Sequence, residues 1–207
     1  MMKINKDKQV KESGVSIMPH KKDKIILSNT NAPLNDHFTK LETRLNGNFD
    51  RAPAFTISAT GVIYQHFDPS HYSNFMWDEK IDQSSIVISL ENVGFLIKNE
   101  TDSSYYDWRG NQYNGRIFEK SWRNKRYWAK YTNKQLNALI DLIKYLCIEY
   151  DIEQNFMGHN VSAHKPETFK GVLNRSNFYS HRYDLTPAID FEFLTEQINN
   201  KNNEENE

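Results

Sequence analysis

The chain has 207 residues, a formal net charge of −1 and a mean hydropathy of −0.79. This length is enough for one domain with a substantial hydrophobic core, and the balanced charge creates no global field that would attract nucleic acid or a lipid surface. The single cysteine, Cys147, excludes an internal disulfide framework and a structural zinc site built from cysteines.

The chain is predicted to consist of an arm, a domain and a tail. Residues 1–23 are rich in lysine and weakly patterned, so we expect a mostly solvated N-terminal arm that docks through residues 15–18. Residues 24–198 are predicted to form the domain. The polar residues 199–207 are expected to be a disordered tail.

Three elements are predicted in the first part of the domain. Residues 24–27 (KIIL) are apolar and predict a short buried strand. Residues 35–45 carry apolar side chains at helical spacing, which predicts a short amphipathic helix. Residues 54–57 and 62–65 flank a turn that contains a glycine, which is the pattern of a β-hairpin.

The central strand is predicted at residues 86–90. Ile86 and its two neighbours run without a polar break and Leu90 follows, a pattern typical of a strand covered on both faces. Glu91 comes directly after this strand, at the rim of the sheet, where binding sites tend to form. The alternative role for this carboxylate is to cap a turn.

A long polar and aromatic segment follows the central strand. Between residues 109 and 131, arginines and lysines alternate with aromatic residues that include Trp122 and Trp128. Such interleaving can stack bases or sugars, or it can provide aromatic anchors that hold a long loop on the core. The net charge of −1 argues against nucleic acid as the partner.

The best-defined element is a helix over residues 132–150. Thr132 and Gln135 have the spacing of a capping box, and the apolar side chains that follow fall on one face. We expect this helix to cover the sheet, with Cys147 as a small buried side chain. A last strand at residues 169–173 and a short helix ending near residue 198 complete the predicted elements.

Five stretches, in this order and spacing, resemble the zinc-dependent N-acetylmuramoyl-L-alanine amidases of the phage-lysozyme and peptidoglycan-recognition type. They are KIILSNTNA, AFTISATGVIYQHFD, SIVISLENVGF, YTNKQLNALIDLIKYLCIEYDI and GVLNRSNFYSHRYDLTPAIDF. The resemblance covers residues 24–191 and implies an α/β fold with a mixed central β-sheet flanked by helices. It also implies hydrolysis of the amide between N-acetylmuramic acid and L-alanine, by a zinc ion held on two histidines and an Asp or Cys.

Two of the three implied zinc ligands are replaced. The resemblance places the first histidine at Ser28 and the second at Arg175, while the third ligand is retained as Asp184. The family's acidic residue falls on Ser89, with Glu91 two residues further on. A serine hydroxyl is a poor zinc ligand and a guanidinium is never one, because it stays protonated. Arg175 and Asp184 are instead able to form an ion pair.

A groove is predicted at the sheet rim, from the positions that the resemblance matches and from residues at neighbouring strand ends and loops. The candidate catalytic residues are Glu91 and Arg182, the latter matching the family's basic residue two positions before the third ligand. The candidate substrate-binding residues are Ser28, His71, Trp122, Trp128 and Arg175.

A rearranged metal site is the alternative to a lost one. His159, His164 and His181 lie in the same segment as Asp184, and the His181–Asp184 spacing can place both side chains on one turn. His181 and Asp184 are therefore the candidate metal ligands. No cofactor is expected unless such a rearranged site binds zinc.

Two functions follow. The first is a peptidoglycan-directed protein of the amidase fold with a degenerate zinc site, which binds a peptidoglycan fragment or a protein ligand. The alternative is an active N-acetylmuramoyl-L-alanine amidase with a rearranged metal site. The absence of a secretory signal and of a membrane span, together with the many Asn, Lys and Ile residues, indicates a phage-encoded protein made in the host cytoplasm. We expect such a protein to be carried in a virion or released to the cell wall, with no membrane partner.

Overall fold

Two β-sheets and five α-helices build the part of the chain that the structure describes. This structure is a computed structural model, and it describes residues 2–159 and 165–199. The strands are β1 (Ile4–Asn5), β2 (Lys24–Asn29), β3 (Phe55–Ile57), β4 (Ile63–Gln65), β5 (Ser85–Leu90), β6 (Phe95–Lys98), β7 (Tyr105–Tyr106), β8 (Ile117–Trp122), β9 (Lys125–Ala129) and β10 (Gly171–Asn174). The helices are α1 (Leu34–Thr43), α2 (Glu79–Ser84), α3 (Asn133–Glu149), α4 (Arg175–Phe178) and α5 (Phe191–Asn199).

The larger sheet is mixed and has the order β1-β4-β3-β5-β2-β10. All of its neighbouring strands run parallel except β3 and β4, which form the predicted antiparallel hairpin. The predicted central strand is β5, which lies between β3 and β2. Because β3, β5, β2 and β10 run in the same direction, their carboxyl ends meet at one edge of the sheet.

The core forms where α3 covers the sheet, as its apolar face predicted. Ile86 and Leu90 of β5 and Leu139 and Ile143 of α3 are buried in one hydrophobic cluster. Cys147 is buried there too, and burial raises the pKa of its thiol to about 11. Thr132 begins the helix by accepting a hydrogen bond from the Gln135 backbone N–H at 3.1 Å.

Only half of the predicted capping box forms. The side chain of Gln135 does not return to the helix start but donates to the backbone carbonyls of Ile57 and Glu91, at 3.0 Å each. Gln135 is buried, so these two bonds fasten the start of α3 to the ends of β3 and β5.

The N-terminal arm contributes to the sheet. β1 pairs in parallel with β4, and the predicted docking near residues 15–18 occurs as a bridge between Ser16 and Tyr72. The prediction of a solvated charge run is wrong for Lys22, which is 1% exposed and donates to the carbonyls of His71 and Gln83, both at 2.8 Å. Burial lowers the pKa of Lys22 to about 8.

The segment after the central strand is a second sheet, which the sequence did not predict. It is antiparallel, with the order β7-β6-β9-β8. Its aromatic side chains at β8 and β9 pack onto the main core, which agrees with the alternative of aromatic anchors. Among the described helices, none is long and apolar enough to cross a membrane.

Candidate functional site

A cleft lies at the edge of the main sheet where the carboxyl ends of β2, β5 and β10 meet. Its volume is about 490 Å³. Its polar floor comes from Asn29 and the two residues after it and from Ser89, and α1 and the loop before α2 form its walls. Four aromatic side chains line these walls: Phe49, Phe75, Trp77 and Trp108.

An ion pair lies at the base of this cleft. Arg175, the first residue of α4, places its Nη1 3.7 Å from Oδ2 of Asp184, and both side chains are largely buried. Asn31 donates from its side chain to Oδ1 of Asp184 at 3.4 Å. Burial raises the pKa of Asp184, and the charge of Arg175 opposes that rise. The guanidinium of Arg175 keeps its proton, so its positive charge attracts the Asp184 carboxylate directly.

A row of hydroxyl groups crosses the sheet beside this pair. Ser28 lies opposite Ser89, and Ser89 lies opposite Thr56, in the register of neighbouring parallel strands. The hydroxyls of Ser28 and Ser89 are 3.2 Å apart. Thr56 lies 3.1 Å from the ring nitrogen Nε2 of His37 and 2.8 Å from that of His66.

The side chains around the cleft are strongly cationic. Six of them are basic: Lys40, Arg44, Arg51, Arg109, Arg175 and Arg182. Asp36 is the only carboxylate among the described residues that line the cleft, and it already pairs with Arg109 at 2.7 Å. Burial lowers the pKa of Lys40, and the neighbouring arginines lower it further. The cleft therefore favours anions.

Comparison with known proteins decides the family. The sequence profile described as N-acetylmuramoyl-L-alanine amidase matches residues 18–171. The chain belongs to the N-acetylmuramoyl-L-alanine amidase family. No curated protein matches it.

Solved amidase structures share the fold at low sequence identity. The amidase LysC from Clostridium intestinale is 14% identical, with a TM-score of 0.59 over 97% of this chain and 100% of that one. The catalytic domain of XlyA is 17% identical, with a TM-score of 0.55 over 95% and 99% of the two chains. AmiD from E. coli is 16% identical, with a TM-score of 0.55 over 87% of this chain and 59% of that one. These likenesses confirm the predicted mixed sheet with flanking helices.

The residues that the sequence resemblance places at the metal positions do not fit a zinc ion. Ser28 is fully buried and shares its hydroxyl with Ser89 and the Asn29 carbonyl, while Arg175 brings a permanent positive charge against Asp184. Zinc is bound by deprotonated nitrogen, sulfur or oxygen donors in a tetrahedral array. Within residues 2–159 and 165–199, no group of three His, Cys, Asp or Glu side chains is placed to hold a metal ion.

Glu91 caps backbone N–H groups, which is the structural alternative to the predicted catalytic role. One carboxylate oxygen accepts from the backbone N–H of Leu34 at 3.1 Å and the other from that of Ala59 at 2.7 Å. Leu34 begins α1 and Ala59 lies in the hairpin turn, so Glu91 joins both to the end of β5. Glu91 is not among the residues that line the cleft. Arg182, the other predicted catalytic residue, does line it.

The prediction that Trp122 and Trp128 line the groove is wrong. Trp128 is fully buried and donates its indole N–H to the Lys120 carbonyl at 2.7 Å, and Trp122 packs against it with ring centroids 5.5 Å apart. The exposed indoles at the cleft are those of Trp77 and Trp108. Trp108 lies beside Asn111 and Gly110 in a turn, a signal of exposure that the sequence did offer.

The histidines are dispersed. His71 lines a different cavity, beneath the N-terminal arm, so its predicted place in the groove is wrong. His181 is exposed, with its ring 5.7 Å from that of Tyr179, whereas Asp184 is buried, so the two side chains do not share one surface. His159 stacks on Phe191 with centroids 3.9 Å apart. His164 lies outside the described residues.

Two further groups of the cleft were not predicted. Lys40 lies in the last turn of α1, Arg44 directly follows that helix, and both line the cleft. Asn29 follows the apolar part of β2, its Oδ1 accepts from the Tyr131 hydroxyl at 2.7 Å, and its Nδ2 has no hydrogen-bond partner in the described part of the chain.

Proposed function

We propose that this chain binds peptidoglycan fragments in the cationic cleft and has lost the zinc chemistry of its family. One observation carries the proposal: the Arg175–Asp184 ion pair lies where the resemblance places two of the three metal ligands. A divalent cation at that position would be repelled by Arg175 and would have to break the pair.

Support for the ligand class comes from structural neighbours. AmiD from E. coli was solved with anhydro-N-acetylmuramic acid-L-Ala-D-gamma-Glu-L-Lys, and AmpDh3 from Pseudomonas aeruginosa with an anhydromuramic pentapeptide. Peptides of this kind carry carboxylates. Arg175 and Arg182 of this chain are suited to them because a guanidinium binds a carboxylate through two parallel hydrogen bonds.

The residues of the cleft support binding more than hydrolysis. Amide hydrolysis needs an activated water and stabilisation of the developing oxyanion. Ser89 stands where the family has its acid, and both oxygens of the neighbouring Glu91 are already used by backbone N–H groups. Arg182 remains able to stabilise negative charge.

The setting of this binding is also a proposal. Phage lysis proteins reach peptidoglycan from the host cytoplasm or from the virion, and the Asn-, Lys- and Ile-rich composition agrees with a phage source. The alternative partner is a protein, which a catalytically silent member can bind in the same cleft in place of a muramyl peptide.

The test combines metal analysis, cleavage and binding on the same purified protein. We expect substoichiometric zinc by elemental analysis, no release of stem peptides from purified peptidoglycan, and saturable binding of a muramyl tripeptide by calorimetry. The double variant Ser28→His, Arg175→His should take up zinc, because the two new histidines and Asp184 make up a set of three ligands. Its thermal melt must first show a cooperative transition.

Stoichiometric zinc with amide cleavage by the natural protein would establish the alternative, an active amidase with a rearranged site. Variants of the three histidines nearest to Asp184 in sequence would then locate the ligands: His159→Gln, His164→Gln and His181→Gln.

A further inference from the structure

Among the side chains that line the cleft, the buried polar atoms without partners are all hydrogen-bond donors, while one acceptor without a hydrogen bond, Oδ2 of Asp184, lies beneath them. In the described part of the chain, Nδ2 of Asn29 and the Nε atoms of Arg51, Arg175 and Arg182 are buried and donate to no acceptor. Asn29 is itself only 4% exposed, and its acceptor oxygen is already used by Tyr131. Buried donors without acceptors are costly, so these atoms call for a ligand made of acceptors.

The charges around these donors select the same kind of ligand. Lys40 and Arg44 lie over the ring of Phe49, at 5.1 and 5.0 Å, and no carboxylate of the described residues pairs with either of them at the cleft. Arg175 is paired with Asp184, but that carboxylate is buried behind it and is not part of the cleft lining. A ligand entering the cleft therefore meets an excess of positive charge.

The number of donors exceeds what one carboxylate can accept. A carboxylate offers about four acceptor positions on two oxygens, in one plane. Here Asn29, Ser89, Lys40, Arg175 and Arg182 all line one cleft of about 490 Å³. A tetrahedral phosphate presents three terminal oxygens in different directions and carries up to two charges, so it satisfies donors that come from several sides.

We infer that the cleft binds a phosphate or pyrophosphate group of a small ligand, held by Asn29, Lys40, Arg175 and Arg182. This inference rests on the proposed function only in using the same cleft. It adds a ligand chemistry that the carboxylates of a stem peptide do not provide. The phosphate can belong to a free metabolite or to a phosphorylated cell-wall fragment, and both share the group that the cleft recognises.

The test is calorimetric titration of the full chain with inorganic pyrophosphate, and separately with citrate and a muramyl tripeptide. We expect saturable pyrophosphate binding with one site per chain, weakened by added salt. Arg182→Gln and Lys40→Gln should each weaken it about tenfold, because each removes a charge-assisted hydrogen bond. Arg126→Gln is the matched control, since Arg126 is exposed on β9 and pairs with Glu119 at 2.5 Å, away from the cleft lining.

Each result decides one of the two claims. Pyrophosphate binding that is lost in the cleft variants and kept in Arg126→Gln supports the inference, whether or not the muramyl peptide binds. Binding of the muramyl tripeptide without pyrophosphate, or citrate bound more tightly than pyrophosphate, overturns the inference and leaves the proposed function standing. Pyrophosphate binding that is unaffected by both cleft variants also overturns it, because the ligand then sits elsewhere. Thermal melts of all variants confirm that they are folded.

Discussion

Arg175 and Asp184 form an ion pair 3.7 Å apart, nine residues from each other in sequence and joined across the start of α4. Ser176, next to Arg175, donates its backbone N–H to the Asp184 carbonyl at 2.9 Å, so the backbone holds the two segments together as well. The sequence resemblance places two of the family's metal ligands at these positions, and in this chain they hold two side chains of opposite charge.

The first prediction concerns the stability that this pair provides. Removing one partner of a buried pair leaves an uncompensated charge, so Arg175→Met should lower the free energy of unfolding by about 3–5 kcal/mol. The double variant Arg175→Met, Asp184→Leu should recover much of the loss, because no charge then remains buried. Urea unfolding measures both.

The exposed pair Arg126–Glu119 provides the control for that experiment. Exposed pairs contribute little, and Arg126→Met should cost less than about 1 kcal/mol. If Arg175→Met and Arg126→Met lowered the free energy of unfolding equally, the view that Asp184 is left as an uncompensated buried charge would be contradicted.

The second prediction concerns the core beneath α3. Ile143 is fully buried in the main cluster, so Ile143→Ala should lower the free energy of unfolding by about 2–5 kcal/mol through lost burial and a residual cavity. Ile148 lies on the same helix and is 70% exposed, which makes Ile148→Ala the matched control. Its cost should stay near that of an ordinary surface change. A loss near zero for Ile143→Ala in urea unfolding would show that α3 is placed wrongly.

Local patterns predicted the elements that bury one continuous face. β5 and α3 have uninterrupted or periodic apolar side chains, so their type and burial can be inferred from a few neighbouring residues. The second sheet has no such signal: the strand β8 reads IFEKSW and is mostly exposed, and its partners lie in a segment rich in Asn, Gly and Tyr. Strand pairing there depends on contacts between distant segments.

The candidate site was predicted only in part, and local sequence patterns were not the source of that prediction. The proximity of Arg175 and Asp184 came from the resemblance, which supplies a long-range contact that spacing alone cannot. Which tryptophans face the cleft was not predictable in this way. Trp122 and Trp128 share an aromatic, basic neighbourhood with Trp108, and only the pairing of β8 with β9 turns them inward. The unpaired Nδ2 of Asn29 was not predictable either. It depends on a hydrogen bond from Tyr131 to the other end of the same amide, and Tyr131 follows the whole second sheet in the sequence.

The third prediction separates a structural from a catalytic role for Glu91. Glu91→Gln replaces one acceptor oxygen with a donor that faces a backbone N–H, so it should lower the free energy of unfolding by about 2 kcal/mol. Binding of a muramyl tripeptide at a temperature where the variant is folded should be unchanged, because Glu91 does not line the cleft. Thermal melts and calorimetry measure the two quantities. Lost binding with unchanged stability would assign Glu91 to the ligand site instead.

The fourth prediction is a loss of stability in mild acid caused by two buried histidines. Burial lowers the pKa of His37 to about 3 and that of His66 to about 4, because their rings are enclosed with the Thr56 hydroxyl between them. An unfolded histidine has a pKa of about 6.5. Below that pH the unfolded chain therefore binds protons that the folded chain excludes, so the stability present above pH 6.5 is lost as the pH falls toward 4.

The expected size of this effect is large enough to measure. For His66, a folded pKa of about 4 corresponds to about 3 kcal/mol lost between pH 7 and pH 4. Unfolding in urea at pH 7, 6, 5 and 4 should show this slope in the natural protein and a smaller slope in His66→Gln, even though that variant starts from a lower stability. Ile148 is exposed and carries no titratable proton, so Ile148→Ala should keep the natural slope. An unchanged slope in His66→Gln would mean that the histidine takes up its proton over the same pH range in the folded and unfolded chains, and the buried His37–Thr56–His66 arrangement would then be wrong.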